Sequence, residues 1–266
     1  MKALHTLAIA ASFFGLVLLV ASLAHGELDR TSTVHLAALS PSPEQAGELI
    51  YQGATFAPEL AGPDPLFRYE RRLTKTPNGF EATHLTRDPL QNLVVAESAQ
   101  FNAAYQLQRY VVQNQQLAFS GAVQVSRDGR HLRYSLNDAG VVSTAEESID
   151  APAVAGPTLF GFILAHGSEL GAGKSIPVRI IVMNEKQTYG FDIRQASATK
   201  GRVVYSITPS SWFVRPFIAT MRATFDTNSK TWVRYEGRVP PMQTVAGELK
   251  ALDARVDYTA VAASYR

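Results

Sequence analysis

The chain has 266 residues, of which 46% are hydrophobic and 18% are charged, and it contains no cysteine. Without cysteine it cannot form disulfides, a thiolate zinc site or a cysteine nucleophile, and lipidation at a lipobox cysteine is excluded as well. The formal net charge of only +2 argues against nucleic acid as the main partner, since such partners select strongly basic surfaces.

The N-terminus has the pattern of an export signal. Lys2 is followed by an uncharged apolar run over residues 7–24 that ends in small side chains, which predicts a signal peptide over residues 1–26. A run of about 18 apolar residues also approaches the length of a membrane span, so an uncleaved anchor is the alternative. We predict export to a bacterial periplasm, because small extracellular domains more often contain disulfides.

The remainder of the chain divides into a linker and a domain. Residues 27–46 are polar and rich in Ser, Thr and Ala, and we interpret them as a linker. Residues 47–266 are predicted to form a single β-rich domain, since they contain no internal repeat and no second hydrophobic unit. Apolar Leu49, Ile50 and Tyr51 predict its first strand.

Alternating polar and apolar residues predict strands joined by hairpins over much of this domain. Asn78-Gly79 predicts a tight hairpin turn, because both residue types tolerate a positive φ. Asp128-Gly129 predicts a second hairpin on the same grounds. Residues 101–113 fit both a helical and a strand pattern, and we favour a strand because the neighbouring segments are hairpins.

A helix is predicted near the middle of the chain. Gly156-Pro157 suits its start, because proline in the first turn loses only an N–H that has no helical partner. The apolar face continues to Leu170, and Gly171 stands where a left-handed cap is expected. Two glycines inside this helix, Gly161 and Gly167, indicate that it lies close against a flat surface.

Three further segments complete the predicted fold. Apolar residues on both faces of the strand at 176–183 indicate that it is covered on both sides, on one of them by the helix. Residues 138–157 are interpreted as a long loop with an acidic patch, and residues 244–253 as a short helix. About ten strands joined by hairpins predict a mainly β fold, with a single antiparallel sheet that is strongly curved or partly closed like a half-barrel and one or two helices packed on or in it.

Five short runs carry a resemblance to a known family. They are residues 47–51 (Gly-Glu-Leu-Ile-Tyr), 156–162 (Gly-Pro-Thr-Leu-Phe-Gly-Phe), 189–191 (Tyr-Gly-Phe), 211–218 (Ser-Trp-Phe-Val-Arg-Pro-Phe-Ile) and 234–240 (Arg-Tyr-Glu-Gly-Arg-Val-Pro). In these runs the chain resembles a family of exported bacterial proteins without an assigned function, so the resemblance implies no activity and no catalytic residues. The strand pattern is more loosely similar to the half-barrel carriers of the bacterial envelope, which hold lipid or acyl chains under a helical lid. A likeness of architecture does not fix function.

No motif in the sequence indicates catalysis, a metal or a cofactor. Residues 171–175 (Gly-Ala-Gly-Lys-Ser) end like a phosphate-binding loop, but Ser168 replaces the required glycine and the run leads from a helix to a strand. His84, His131 and His166 lack metal-ligand spacing, and serine hydrolase motifs are missing. We therefore predict no catalytic residues, no metal ligands and no cofactor.

Aromatic residues are the stronger lead to a binding site. Ligand sites are concave and mostly apolar, so we predict that aromatic side chains line a cavity covered by the helix; ordinary core packing is the alternative. The predicted ligand-binding residues are Phe160, Phe162, Tyr189, Phe191, Trp212, Phe213, Phe217 and Tyr235. Arginines that alternate with apolar residues along the strands suit a solvated sheet face, or alternatively a basic rim that meets lipid phosphates.

The function predicted from these patterns is binding without catalysis. We expect an exported protein that binds or carries an apolar ligand, such as a lipid or acyl chain, in a curved β-sheet. Contact with a membrane surface is compatible with this function, and nucleic acid is not an expected partner. The first alternative is an envelope interaction protein with a filled core. The second is an enzyme with scattered residues, which a cluster of His, Asp or Glu in a pocket would favour.

Overall fold

One large, mostly antiparallel sheet dominates the fold. The computed structural model describes residues 47–57, 64–215 and 218–261, and these ranges contain fifteen strands and two helices. The strands are β1 (Glu48–Phe56), β2 (Phe67–Thr76), β3 (Gly79–Arg87), β4 (Leu93–Phe101), β5 (Leu107–Asn114), β6 (Phe119–Val125), β7 (His131–Asp138), β8 (Val141–Ser148), β9 (Ala153–Val154), β10 (Ile176–Val182), β11 (Gln187–Thr199), β12 (Arg202–Pro209), β13 (Met221–Asp226), β14 (Thr231–Val245) and β15 (Glu248–Ala260). The helices are α1 (Gly156–Ala165) and α2 (Gly167–Gly171), and a short 3-10 turn covers Met183–Glu185. The predicted mainly β fold is confirmed.

The strands follow one another as a meander. Their order across the sheet is β8-β7-β6-β5-β4-β3-β2-β1-β15-β14-β13-β12-β11-β10-β9. Every neighbouring pair is antiparallel except β9 and β10, and the pairing of β1 with β15 joins the two halves of the chain. Within the described residues, the terminal strands β8 and β9 of this order do not pair with each other, so the sheet is not closed into a barrel.

The two hairpins predicted from turn residues are confirmed. Thr76 pairs with Gly79 across the turn between β2 and β3. The turn between β6 and β7 contains Gly129, whose φ of +72° few residues other than glycine adopt readily. The ambiguous residues 101–113 span the end of β4 and most of β5, which confirms the preference for strand.

The predicted loop over residues 138–157 is wrong, because β8 and β9 lie there. β8 lacks the usual pattern of large buried apolar residues, since its largest apolar side chains, Val141 and Val142, are exposed. Small or polar side chains, among them Ala145 and Glu147, occupy its partly buried positions. A strand of this composition gives little hydrophobic alternation to detect.

The predicted helix over residues 244–253 is also wrong. β14 and β15 form one long hairpin whose turn is Ala246-Gly247, with a positive φ at both residues. Alanine is an unusual residue for such a turn, so Ala246-Gly247 is a weaker turn signal than Asn-Gly or Asp-Gly. β14 continues through Pro240-Pro241, because a register shift between Val239 and Met242 accommodates the two prolines.

The central helix differs from the prediction in two details. It is interrupted at His166, which separates α1 from α2. The left-handed residue after α2 is Gly173, with a φ of +84°, whereas Gly171 is the last residue of the helix itself. A Cβ at Gly161 would overlap the ring of Tyr105, as expected for a close contact, but Gly167 faces open space.

Buried apolar residues form two clusters. The first lies mainly among β2–β8 and includes Tyr134, and the second joins α1 to β10–β15 and includes Ile163 and Trp232. β10 contributes Val178 to the second cluster and Ile181 to the first. Since these two positions point to opposite faces of a strand, both faces of β10 are covered, as predicted.

Side chains connect β8 to strands near the other end of the sheet order. Glu147 on β8 accepts hydrogen bonds from Thr188 on β11 at 2.7 Å and from Arg179 on β10 at 3.3 Å. Tyr134 on the neighbouring β7 also donates to Glu147, at 2.8 Å. Glu147 is therefore not part of a solvated acidic patch. The adjacent Glu146 is exposed and forms an ion pair with Arg133 on β7.

Candidate functional site

The start of α1 lies against β3 and β4. Ala155 caps the helix in an extended conformation, and its N–H donates to Oγ1 of Thr158 at 3.1 Å. A Cβ at Gly156 would stand 3.2 Å from Oε1 of Glu97 on β4, which is tighter than an ordinary contact. Glycine therefore allows the helix N-terminus to approach this carboxylate, and negative charge is favourable there.

Three ionisable residues stand side by side on β2, β3 and β4. Arg71 pairs directly opposite His84, which pairs directly opposite Glu97, and the three are 1%, 7% and 5% exposed. Nη1 of Arg71 donates to Nε2 of His84 at 2.6 Å and to the carbonyl oxygen of Pro157 at 2.6 Å. Tyr110 on β5 donates its hydroxyl to Oε1 of Glu97 at 2.7 Å. Charges buried this deeply persist because they are hydrogen-bonded.

His84 is neutral at pH 7, since burial lowers the pKa of its imidazole to about 4 despite the opposing effect of Glu97. A guanidinium only donates hydrogen bonds, so Nε2 accepts from Arg71 and the ring proton is on Nδ1. Nδ1 lies 3.8 Å from Oε2 of Glu97. A neutral imidazole thus separates the two charged groups. Burial, together with Glu97, raises the pKa of Tyr110 and keeps its hydroxyl a donor.

His84 and Glu97 form the polar end of a cavity of about 110 Å³. Most of the other walls come from α1, β14 and β15, with smaller parts from β1, β2 and β3. The remaining lining residues are Thr55, Tyr69, Thr86, Gly156, Leu159, Phe160, Tyr235, Arg238, Val239, Pro240, Pro241, Val256 and Tyr258. Two larger grooves of about 510 and 1100 Å³ are lined mainly by turn residues, and none of their described residues is a buried ionisable group.

Aromatic rings surround much of this cavity. The centroid of Tyr258 lies 5.5 Å from that of Tyr69 and 5.5 Å from that of Phe160. Phe160 in turn lies 6.4 Å from Tyr235. Gly53 on β1 stands opposite Tyr258, and a Cβ there would come within 3.1 Å of its ring. The absence of a side chain on Gly53 thus leaves room for the Tyr258 ring.

Phe160 and Tyr235, from the predicted ligand-binding set, line this cavity. Phe162 and Phe191 are buried in the same apolar cluster without lining it. Tyr189 is half-buried, and its hydroxyl donates a hydrogen bond to the carboxylate of Glu185, the last residue of the 3-10 turn.

Trp212 and Phe213, two predicted residues of the segment after β12, lie away from the cavity. Trp212 and Phe213 are 68% and 65% exposed, and their rings contact each other with centroids 3.5 Å apart. Phe217 lies outside the described residues. The structure therefore does not bring Trp212 or Phe213 to the cavity.

The polar end of the cavity was missed from the sequence. Arg71 occupies the same face of β2 as the apolar residues Phe67 and Tyr69, where a charged side chain is unexpected. That mismatch was a detectable signal of a buried charge. His84 was treated as an isolated histidine because its partners come from other strands.

The other motifs considered in the sequence lie outside the cavity. In the phosphate-loop-like run, Lys174 donates to Glu169 at 3.2 Å. Across the described ranges, no three His, Asp or Glu side chains are grouped so that they could hold a metal ion. No helix in the part of the chain that the structure describes has both the length and the apolar character needed to cross a membrane.

Similarity to known proteins does not add to this picture. The resemblance to a family of exported proteins stays a prediction from five short runs. The chain matches no protein-family model, no curated protein and no solved structure.

Proposed function

We propose that this is an exported, periplasmic and noncatalytic protein, and that its cavity between α1, β14 and β15 binds a small apolar molecule or the apolar end of a larger one. The observation that carries this proposal is a cavity in which Leu159, Phe160 and Val256 face a polar end formed by His84 and Glu97. Apolar walls with a few convergent polar groups are typical of small-molecule sites.

The volume of the cavity limits what it can hold. A cavity of about 150 Å³ accommodates benzene, so a volume of about 110 Å³ suits a group of that size or smaller. A lipid or acyl chain, the ligand class predicted from the sequence, would place only its terminal segment there. The proposal therefore favours a compact ligand, or a lipid bound by one end.

Strong curvature of the sheet is part of this proposal. β8 and β11 are first and thirteenth in the strand order, and a flat sheet with strands about 4.8 Å apart would separate them by about 58 Å. The hydrogen bond of 2.7 Å between Glu147 and Thr188 joins these two strands. It supports a sheet that turns back on itself.

A proton-transferring enzyme is the second candidate. Two buried ionisable groups, His84 and Glu97, converge on one cavity, which is the arrangement expected of an acid–base site. However, Arg71 and Tyr110 already engage these groups in a buried hydrogen-bond network. Such networks commonly specify a unique core, and binding therefore remains the better-supported function.

The proposal is tested on protein purified from the cell envelope. Native mass spectrometry with lipid extraction should find a co-purifying small molecule, or the protein should take up a fluorescent acyl probe. The measured mass should place the start of the mature chain near residues 24–27. A protein with no co-purifying molecule and no probe uptake would contradict the proposal.

A matched pair of variants assigns the binding to the cavity. Val239→Phe adds a ring at the cavity wall and should abolish uptake of the probe. Val203→Phe makes the same change at a partly buried valine outside the cavity and should leave uptake unchanged. Equal uptake by both variants would place the ligand elsewhere.

A further inference from the structure

We propose that the cavity recognises a cationic nitrogen group, such as a methylated or primary ammonium, at the end formed by Glu97. This inference rests on the proposed binding function and adds the charge of the ligand to it. It is carried by the combination of one buried carboxylate and several aromatic rings around a volume of about 110 Å³.

Aromatic rings make up a large part of the cavity lining. Tyr69, Phe160, Tyr235 and Tyr258 all line the cavity. The face of an aromatic ring carries partial negative charge and attracts a cation within about 6 Å of its centre. Groups of such rings are a recurring solution for binding quaternary ammonium ligands. An uncharged apolar group would gain contact area from these rings but not this electrostatic attraction.

Glu97 supplies a negative charge at the polar end of the cavity. Its carboxylate is 5% exposed and lines the cavity. It accepts one hydrogen bond from Tyr110 and has the Nδ1 of neutral His84 at 3.8 Å. A cation in the cavity would offset the cost of burying this charge, whereas an anion would be repelled by it.

Two nearby arginines do not cancel this preference. Arg71 is not among the lining residues, and the imidazole of His84 stands between its guanidinium and Glu97. Arg238 lines the cavity, but its Nε and Nη2 donate to the two carboxylate oxygens of Asp253 at 2.9 and 3.2 Å. This bidentate pair compensates the charge of Arg238. Among the described lining residues, Glu97 is then the formal charge that has hydrogen-bonding neighbours but no oppositely charged side chain paired with it, since His84 is neutral.

The test compares two probes of the same shape and different charge. Choline carries a trimethylammonium group, and dimethylbutanol is its uncharged analogue with carbon in place of nitrogen. Titration of the mature protein at pH 7 by calorimetry or ligand-observed NMR should give choline an affinity at least tenfold higher. Equal binding, or tighter binding of dimethylbutanol, would overturn the cation preference while leaving the proposed binding function intact. Binding of neither probe would also overturn the cation preference, whereas the proposed binding function is decided by co-purification and uptake of the acyl probe.

Variants connect the preference to its residues. Glu97→Gln keeps the size of the side chain and removes its charge, so choline should lose its advantage over dimethylbutanol. Tyr258→Leu leaves Glu97 in place and should weaken choline binding by about threefold to thirtyfold; it also keeps the test decisive if Glu97→Gln does not fold. Phe225→Leu removes an aromatic ring outside the cavity and should change neither affinity. A preference that survives both Glu97→Gln and Tyr258→Leu would contradict the inference.

Discussion

At the scale of single residues, the row of Arg71, His84 and Glu97 is unusual because each is buried in the interior of a strand. Removing one member would leave a buried hydrogen-bonding group without its partner, which typically costs about 1–3 kcal/mol and more where that group is charged. The row therefore persists only as a unit, and its middle member must remain neutral to accept the hydrogen bond from Arg71.

Because His84 is neutral in the folded protein, we predict that the free energy of unfolding depends on pH. Its pKa is about 4 in the folded protein, against an ordinary value of 6.5, so between these values the unfolded chain binds more protons than the folded one. The free energy of unfolding should therefore fall as the pH drops from 6.5 to 4, by about 3 kcal/mol in total, with no contribution from His84 above that window. Urea unfolding at a series of pH values measures this change.

Two substitutions isolate the contribution of His84. His84→Gln can still accept and donate hydrogen bonds but does not titrate, so the fall in stability across this window should become smaller by the amount that His84 contributes. His131→Gln makes the same replacement at an exposed histidine outside the row and is the matched control. An unchanged pH dependence in His84→Gln would mean that His84 is not held neutral.

Within this row, the pair of Arg71 and His84 follows from the sequence. The hairpin at Asn78-Gly79 was predicted, and its pairing of Thr76 with Gly79 places Arg71 opposite His84 by counting back along both strands. The contact with Pro157 could not be found in this way, because it joins residues 86 positions apart in the sequence. The cavity depends on such long-range contacts, and local patterns do not encode them.

At the scale of elements, α1 is held by a close contact at Gly161. The ring of Tyr105 occupies the space that a Cβ would need there, and that ring stacks on Phe101 with centroids 5.1 Å apart. The ring therefore has little freedom to move away. The start of this helix was predicted from Gly156-Pro157, whereas its interruption at His166 has no marker in the sequence.

Two glycine substitutions test how α1 is seated. Gly161→Ala should lower the free energy of unfolding by about 1–3 kcal/mol, because a filled contact must shift to accept the methyl group. Gly167→Ala should be neutral or stabilising by up to about 1 kcal/mol, since nothing lies near that position and alanine favours helix. Thermal or urea unfolding compares the two, and equal effects would argue against the contact with Tyr105.

At the scale of the whole sheet, prediction succeeded where turn residues and alternation agree. The hairpins at Asn78-Gly79 and Asp128-Gly129 have both signals. β8 has no large buried apolar residues. The turn before it is Ala139-Gly140, which has a positive φ at both positions. The β14–β15 turn uses Ala246 in the same way. In both places tertiary pairing stabilises a turn that alanine alone does not favour.

The hydrogen bonds between β8 and the strands β10 and β11 join strands that are far apart in the strand order, so they require the complete sheet. It is made by Glu147, which receives hydrogen bonds from three side chains on three different strands. Burial, together with the bond to Glu147, raises the pKa of Tyr134 well above its ordinary value. The hydroxyl of Tyr134 is therefore protonated at neutral pH and donates to Glu147.

Removal of this carboxylate should loosen the attachment of β8. Glu147→Ala leaves Tyr134, Thr188 and Arg179 without their shared acceptor and should lower the free energy of unfolding by about 1–3 kcal/mol. Glu146→Ala removes an exposed ion pair next to it and should change stability by less than about 1 kcal/mol. Hydrogen exchange provides a local measurement, in which the amides of β8 should exchange faster in Glu147→Ala than in Glu146→Ala. If exchange in β8 were the same in the two variants, the backbone pairing of β8 with β7 alone would hold the strand, and Glu147 would not join the two ends of the sheet.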